Sequence, residues 1–73
     1  MTFSAWFADE LRVRRVRKKD VAADLKLRPA TISGWLRGVV PSGEHLALLR
    51  GIWNLSDEET AAMMNSVLAS VGG

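Results

Sequence analysis

The chain has 73 residues, which is enough for one domain and close to the lower limit for folding without disulfides or bound metal ions. It has no cysteine, so disulfides and zinc–thiolate sites are excluded, while 48% apolar residues supply material for a packed core. A membrane-spanning helix needs about 20 consecutive apolar residues, and every apolar stretch of this chain is much shorter. Asp9 and Glu10 interrupt any secretory signal, so we expect a single soluble, cytoplasmic domain over residues 1–73.

The net charge of +2 is unevenly distributed along the chain. Between Arg12 and Arg37, nine Lys or Arg residues stand against two Asp residues, a local charge of +7. Residues 1–11 carry −2 and residues 38–73 carry −3. A concentrated positive block in so small a chain indicates a polyanionic partner such as nucleic acid.

The sequence predicts five helices and no strands, and the first helix covers Phe3–Arg14. Thr2 or Ser4 can cap its start. Trp6 falls at the edge of its buried face, so we expect it to be partly exposed. The buried face itself is formed by apolar residues that recur every four positions, Phe3, Phe7 and Leu11.

Helices 2 and 3 are predicted over Lys18–Leu25 and Pro29–Arg37, with Gly38 as the stop signal. Each is too short to bury its apolar face alone, so the two must pack on each other across the turn. Ala22 permits a close crossing because its side chain is a single methyl group. A short pair of crossed helices in a basic setting is typical of a helix-turn-helix that binds DNA.

Helix 4 is predicted to start at Ser42 and to end at Asn54 in a left-handed conformation. Gly51, in its interior, indicates close helix packing. Helix 5 begins with a capping box formed by Ser56 and Glu59. Its apolar stripe closes the core or, together with Trp6, forms an interface with a second copy or another partner; the stripe is Met63, Met64, Val67, Leu68 and Val71.

This pattern resembles the lambda-repressor and Cro-like (XRE-type) helix-turn-helix domains of phage and bacterial regulators over about residues 7–60. The resemblance implies an all-α, compact five-helix domain with the helix-turn-helix at helices 2 and 3. It also implies a transcriptional regulator that binds double-stranded DNA and needs no cofactor. The matching residues are Val21, Ala22, Leu25, Leu27, Thr31, Ile32, Ser33, Trp35, Gly38, Pro41, Leu46 and Leu49.

The departures from the family pattern fall where DNA would be touched. The family usually begins helix 2 with Ser or Thr followed by Gln, where this chain has Arg17 and Lys18. The family usually has Gly in the turn between the two helices; this chain has Lys26, which must tolerate strain or use another conformation. The family usually has Ser before helix 3, and this chain has Arg28. We therefore expect phosphate contacts from four residues, Arg17, Lys18, Lys19 and Arg37.

Base contacts are expected from the start of helix 3. Arg28 is the best candidate for guanine, since its forked group matches both major-groove acceptors of that base. Three of the expected residues have no hydrogen-bonding side chain, so direct readout should be sparse. The expected base-contacting residues are Arg28, Pro29, Ala30, Thr31, Ser33 and Gly34.

Other interpretations stay open at this point. The same fold can serve as a protein-interaction module, such as an antitoxin-like domain or a repressor antagonist, through helix 5 and Trp6. Binding to a membrane surface is disfavoured because Arg12, Arg14 and Arg15 cluster at one end of helix 1. An enzyme is disfavoured because His45 has no nucleophile or metal-ligand spacing beside it. As a DNA-binding protein, the chain would form a homodimer at least on a palindromic operator.

Overall fold

The computed structural model describes residues 1–71, so Gly72 and Gly73, for which the sequence predicts a frayed tail, lie outside the described residues. Within residues 1–71 the chain is all-helical, as predicted. Arg37, expected inside the third helix, is its C-cap, and Ser42 is the N-cap of the fourth. The helices are α1 (Phe3–Arg14), α2 (Lys18–Leu25), α3 (Pro29–Leu36), α4 (Gly43–Trp53) and α5 (Asp57–Val71). None of them is long and apolar enough to cross a membrane.

An aromatic cluster at the start of α1 forms the centre of the core. The Phe7 ring stacks on Trp53 at 5.7 Å and meets Trp35 edge-on at 5.5 Å. Such pairs contribute about 0.5–1.5 kcal/mol beyond their buried area. The core thereby joins α1, α3 and α4, and its other members include Val21, Ala22, Leu25, Ile32, Leu46, Leu49, Leu55 and Met63.

Trp6 belongs to this core, so the prediction of a partly exposed edge residue was wrong. Its side chain is 8% exposed, and its ring lies 5.7 Å from Phe3 and 6.3 Å from Trp53. Trp53 is only partly buried, and the Arg14 guanidinium lies 4.7 Å above its ring. The Arg14 cation therefore covers one face of the Trp53 ring.

α5 is hydrogen-bonded to α1 at both of its ends. The backbone N–H of Phe3 donates to the Ser70 hydroxyl at 2.8 Å, and at the other end Arg14 donates to Glu59 at 3.3 Å. These two contacts fix α5 antiparallel to α1. The side chains of Met63 and Val67 pack α5 into or against the core.

Three of the connections between helices use the same turn. Each has a residue in the left-handed region, with φ of 56°, 58° and 47° in chain order. An apolar residue follows, and its N–H donates to the carbonyl five positions earlier; then comes the N-cap of the next helix. This is the Schellman arrangement of helix ends. The three turns are Arg15–Arg17, Lys26–Arg28 and Asn54–Ser56.

The Asn54–Ser56 turn uses residues that favour this conformation. Asn tolerates the left-handed region, and the Ser56 hydroxyl accepts from the Glu59 N–H while the Glu59 carboxylate accepts from the Ser56 N–H, both at 3.1 Å. The predicted capping box is therefore confirmed. The hydrogen bond from the Ser56 backbone lowers the pKa of Glu59 below its ordinary value, with smaller contributions from the Ser56 side chain and Arg14.

Gly51 does not mediate a close helix contact, so that prediction was wrong. It is exposed in the interior of α4, and a Cβ at this position would meet no atom within 4 Å. Glycine therefore weakens α4 here without a packing reason that the structure shows.

Candidate nucleic-acid interface

α2 and α3 form a crossed pair held by apolar side chains. Val21, Ala22 and Leu25 are buried on α2, and Ile32 and Trp35 are buried on α3. The Lys26–Arg28 turn joins them directly. The outer sides of both helices and the turns at both ends of α2 are left to solvent.

Ion pairs divide the basic residues of the described chain into two groups. The pairs are Arg12–Asp9, Arg14–Glu10, Arg14–Glu59 and Arg50–Asp57. The remaining seven Lys and Arg side chains are exposed and pair with no carboxylate of residues 1–71. We call them the α2–α3 cationic surface: Arg15, Arg17, Lys18, Lys19, Lys26, Arg28 and Arg37.

The two turns that border α2 carry four of these cations. Arg15 and Lys26 occupy the left-handed positions, which disfavour a side chain by roughly 1–2 kcal/mol. Arg17 and Arg28 occupy the N-cap positions, where neither forms a side-chain capping bond. A missing cap costs about 1 kcal/mol. The turn at Asn54–Ser56 shows that the same backbone can be built without these penalties.

α2 carries opposite charges on its two exposed flanks. Residues advance by about 100° around a helix, so Lys19 lies on one flank and Asp20 and Asp24 lie on the other. All three are exposed. A polyanion can therefore approach α2 from its N-terminal end and the Lys19 flank, but not from the flank with the two carboxylates.

The outer face of α3 carries small side chains and ends in a single cation. Pro29, Ala30 and Arg37 are exposed, and Ser33 is partly buried. The rotation of about 100° per residue places these four on one side of the helix. We call the segment formed by Pro29, Ala30 and Ser33 the reading face.

Two of the α3 residues expected to contact bases do not lie on that face. Gly34 is buried, and a Cβ there would lie 3.7 Å from Cγ2 of Val39. Gly34 therefore does not lie open to a ligand, because Val39 covers it. Thr31 is partly buried on the side of Trp35, and it lies about 100° beyond Ala30 around the helix.

The apolar stripe of α5 is divided between the core and the surface. Met63 is 2% exposed and Val67 is partly buried against the core, so Met63 cannot form part of a partner surface. Met64, Leu68 and Val71 are 41%, 62% and 67% exposed. They lie on one flank of the helix, which we call the α5 flank.

Sequence reasoning missed Arg15 and Lys26 as members of the cationic surface. The signal was present, because each stands where a helix must end in a left-handed residue. It also did not pair Arg12 and Arg14 with carboxylates. Their acidic partners Asp9 and Glu10 stand three and four positions earlier, the spacing at which helix side chains meet.

The remaining candidate for chemistry, His45, packs its ring 6.0 Å from that of Trp35. Among residues 1–71, no group of three side chains is arranged to hold a metal ion. Comparison of the chain with known protein families, with curated proteins and with solved structures found no match.

Proposed function

We propose that this chain is a helix-turn-helix domain that binds double-stranded DNA as a lambda-repressor-like or Cro-like transcriptional regulator. One observation carries the proposal. Within residues 1–71, the cations outside α2, α3 and their turns pair with nearby carboxylates, whereas the seven of the α2–α3 cationic surface do not. Such a surface binds the phosphate backbone of DNA favourably, because binding releases the counterions that are condensed on the DNA.

In this proposal α3 enters the major groove and the flanking cations hold the backbone. An α-helix fits a groove of about 12 Å width, and the small side chains of the reading face allow close approach. Arg17, Lys18 and Lys19 at the start of α2 contact phosphates on one side, while Arg37 contacts them near the end of α3. Arg28, at the start of α3, lies beside the bases.

A single module of this size reads only a few base pairs. Two copies on a palindromic operator would double the contact, with half-sites separated by about one helical turn. The α5 flank supplies a surface for the homodimer, because Met64, Leu68 and Val71 are exposed together. A regulator of this kind acts in the bacterial cytoplasm or in a phage-infected host.

The test is the salt dependence of binding to DNA duplexes. We expect affinity for duplexes of about two helical turns to fall steeply between about 50 and 200 mM salt. Arg17→Ala should reduce the slope of log K against log salt by about one. Arg50→Ala is the matched control, because it removes the same charge away from the α2–α3 cationic surface.

Equal slopes for these two variants would refute the assignment of the surface. Absence of duplex binding at low salt would refute the DNA-binding function. It would then favour the protein-interaction alternative, in which the α5 flank contacts a different protein.

A further inference from the structure

The reading face of α3 has an unusual chemical composition for a surface that distinguishes bases. Pro29 and Ala30 are its exposed members, and both present only carbon atoms beyond the backbone. Ser33 has one hydroxyl, which can bond to several bases and so discriminates weakly. Bidentate amide or guanidinium groups, which usually read adenine and guanine, are absent between Arg28 and Arg37.

A face of this kind can still distinguish one base by its shape. In the major groove only thymine presents an apolar group, its C5-methyl. We propose that Pro29 and Ala30 read DNA by packing on thymine C5-methyl groups, so that methyl contact carries much of the sequence preference. This inference rests on the proposed DNA-binding function.

Charge complementarity fixes the occupant of the face as DNA. Arg28 and Arg37 stand at its two ends, and both are exposed and free of ion pairs within residues 1–71. The eight residues of α3 between them rise about 12 Å. The apolar atoms are thus bounded by Arg37, which binds phosphate, and by Arg28, which lies beside the bases. A protein partner with an apolar surface would leave both cations unpaired.

The experiment separates the methyl group from every other feature of the base. Random duplexes are selected for binding, and the enriched pool is amplified again with either dTTP or dUTP. Uracil keeps each hydrogen-bonding group of thymine and lacks only the methyl. The expected result is weaker binding of the uracil pool, by about four-fold for each methyl group buried. A third pool, with 5-methylcytosine in place of cytosine, should bind as well as or better than the parent.

The matched variants are Ala30→Gly and Ala47→Gly. Both remove a methyl group from an exposed helical position, Ala30 in the first turn of α3 and Ala47 in the interior of α4. Only Ala30→Gly should lower the ratio of uracil to thymine dissociation constants, by about four-fold. Because the ratio compares two pools on one protein sample, partial unfolding does not alter it.

The outcomes distinguish this inference from the function on which it rests. A ratio of one for the unmodified protein, with strong salt-dependent binding, overturns methyl readout and leaves DNA binding intact. A ratio above one that Ala30→Gly does not change also overturns it. Failure to bind any of the pools overturns the proposed function itself.

Discussion

Lys26 combines a backbone penalty with a surface charge, and the two effects can be separated by substitution. Its φ of 58° and ψ of 40° lie in the left-handed region. Relief of this strain by glycine is worth roughly 1–2 kcal/mol. The greater freedom of glycine in the unfolded chain offsets about 0.5–1 kcal/mol of that gain. Lys26→Gly should therefore be about 1 kcal/mol more stable than Lys26→Ala.

The comparison with Lys26→Ala is the informative one because both variants lose the same charge. That charge favours the C-terminal end of α2 by about 0.3–1 kcal/mol, which would blur a comparison with the parent. Thermal unfolding followed by circular dichroism should show the glycine variant melting about 4–8 °C above the alanine variant. Equal melting temperatures would refute the argument from backbone strain.

DNA binding should respond in a different way to the same two variants. Both lack the ammonium group, so both should lose about one unit of the salt slope relative to the parent. The glycine and alanine variants should therefore bind DNA equally weakly, although the glycine variant is the more stable of the two. A glycine variant that keeps the full slope would remove Lys26 from the proposed interface.

Three further predictions concern α4 and α5. Gly51→Ala should stabilise the protein by about 1 kcal/mol in denaturant unfolding, since the position is open and helical; a loss of stability would reveal a contact that is not evident. The lowered pKa of Glu59 means that its contribution to stability is present above the ordinary glutamate pKa and is lost as the pH falls through the lowered value. Glu59→Gln retains the capping bonds but does not titrate, so the melting temperatures of parent and variant should converge or cross on acidification, and a constant difference would contradict this. Leu68→Asp should weaken self-association in sedimentation on a palindromic duplex, whereas Asn65→Asp, on another exposed part of α5, should not; equal behaviour would exclude the α5 flank as the dimer surface.

The helix bounds could be predicted because local chemistry sets them. Pro29 at a first helical position, Gly38 with φ of 116° and the Ser56–Glu59 capping box each act within one turn of the helix. The same holds for the missing caps at Arg17 and Arg28, since a guanidinium cannot accept a hydrogen bond from an N–H group.

Features that depend on distant residues could not be predicted. Arg14 is held by Glu59, 45 positions away, and by the ring of Trp53. The division between buried Met63 and exposed Met64 depends on how α5 is rotated against α1. One residue step changes the direction by about 100°, and an apolar stripe this wide does not specify which edge faces inward.

The uncapped starts of α2 and α3 also have a consequence for the dynamics of the free protein. Backbone amides in the first turn of a helix exchange with water readily when no side chain accepts from them. The amides of Lys18, Lys19 and Ala30 should therefore exchange faster than that of Glu59, which Ser56 caps. A bound polyanion would slow the first three and leave the fourth unchanged, so amide exchange can locate the ligand without any substitution.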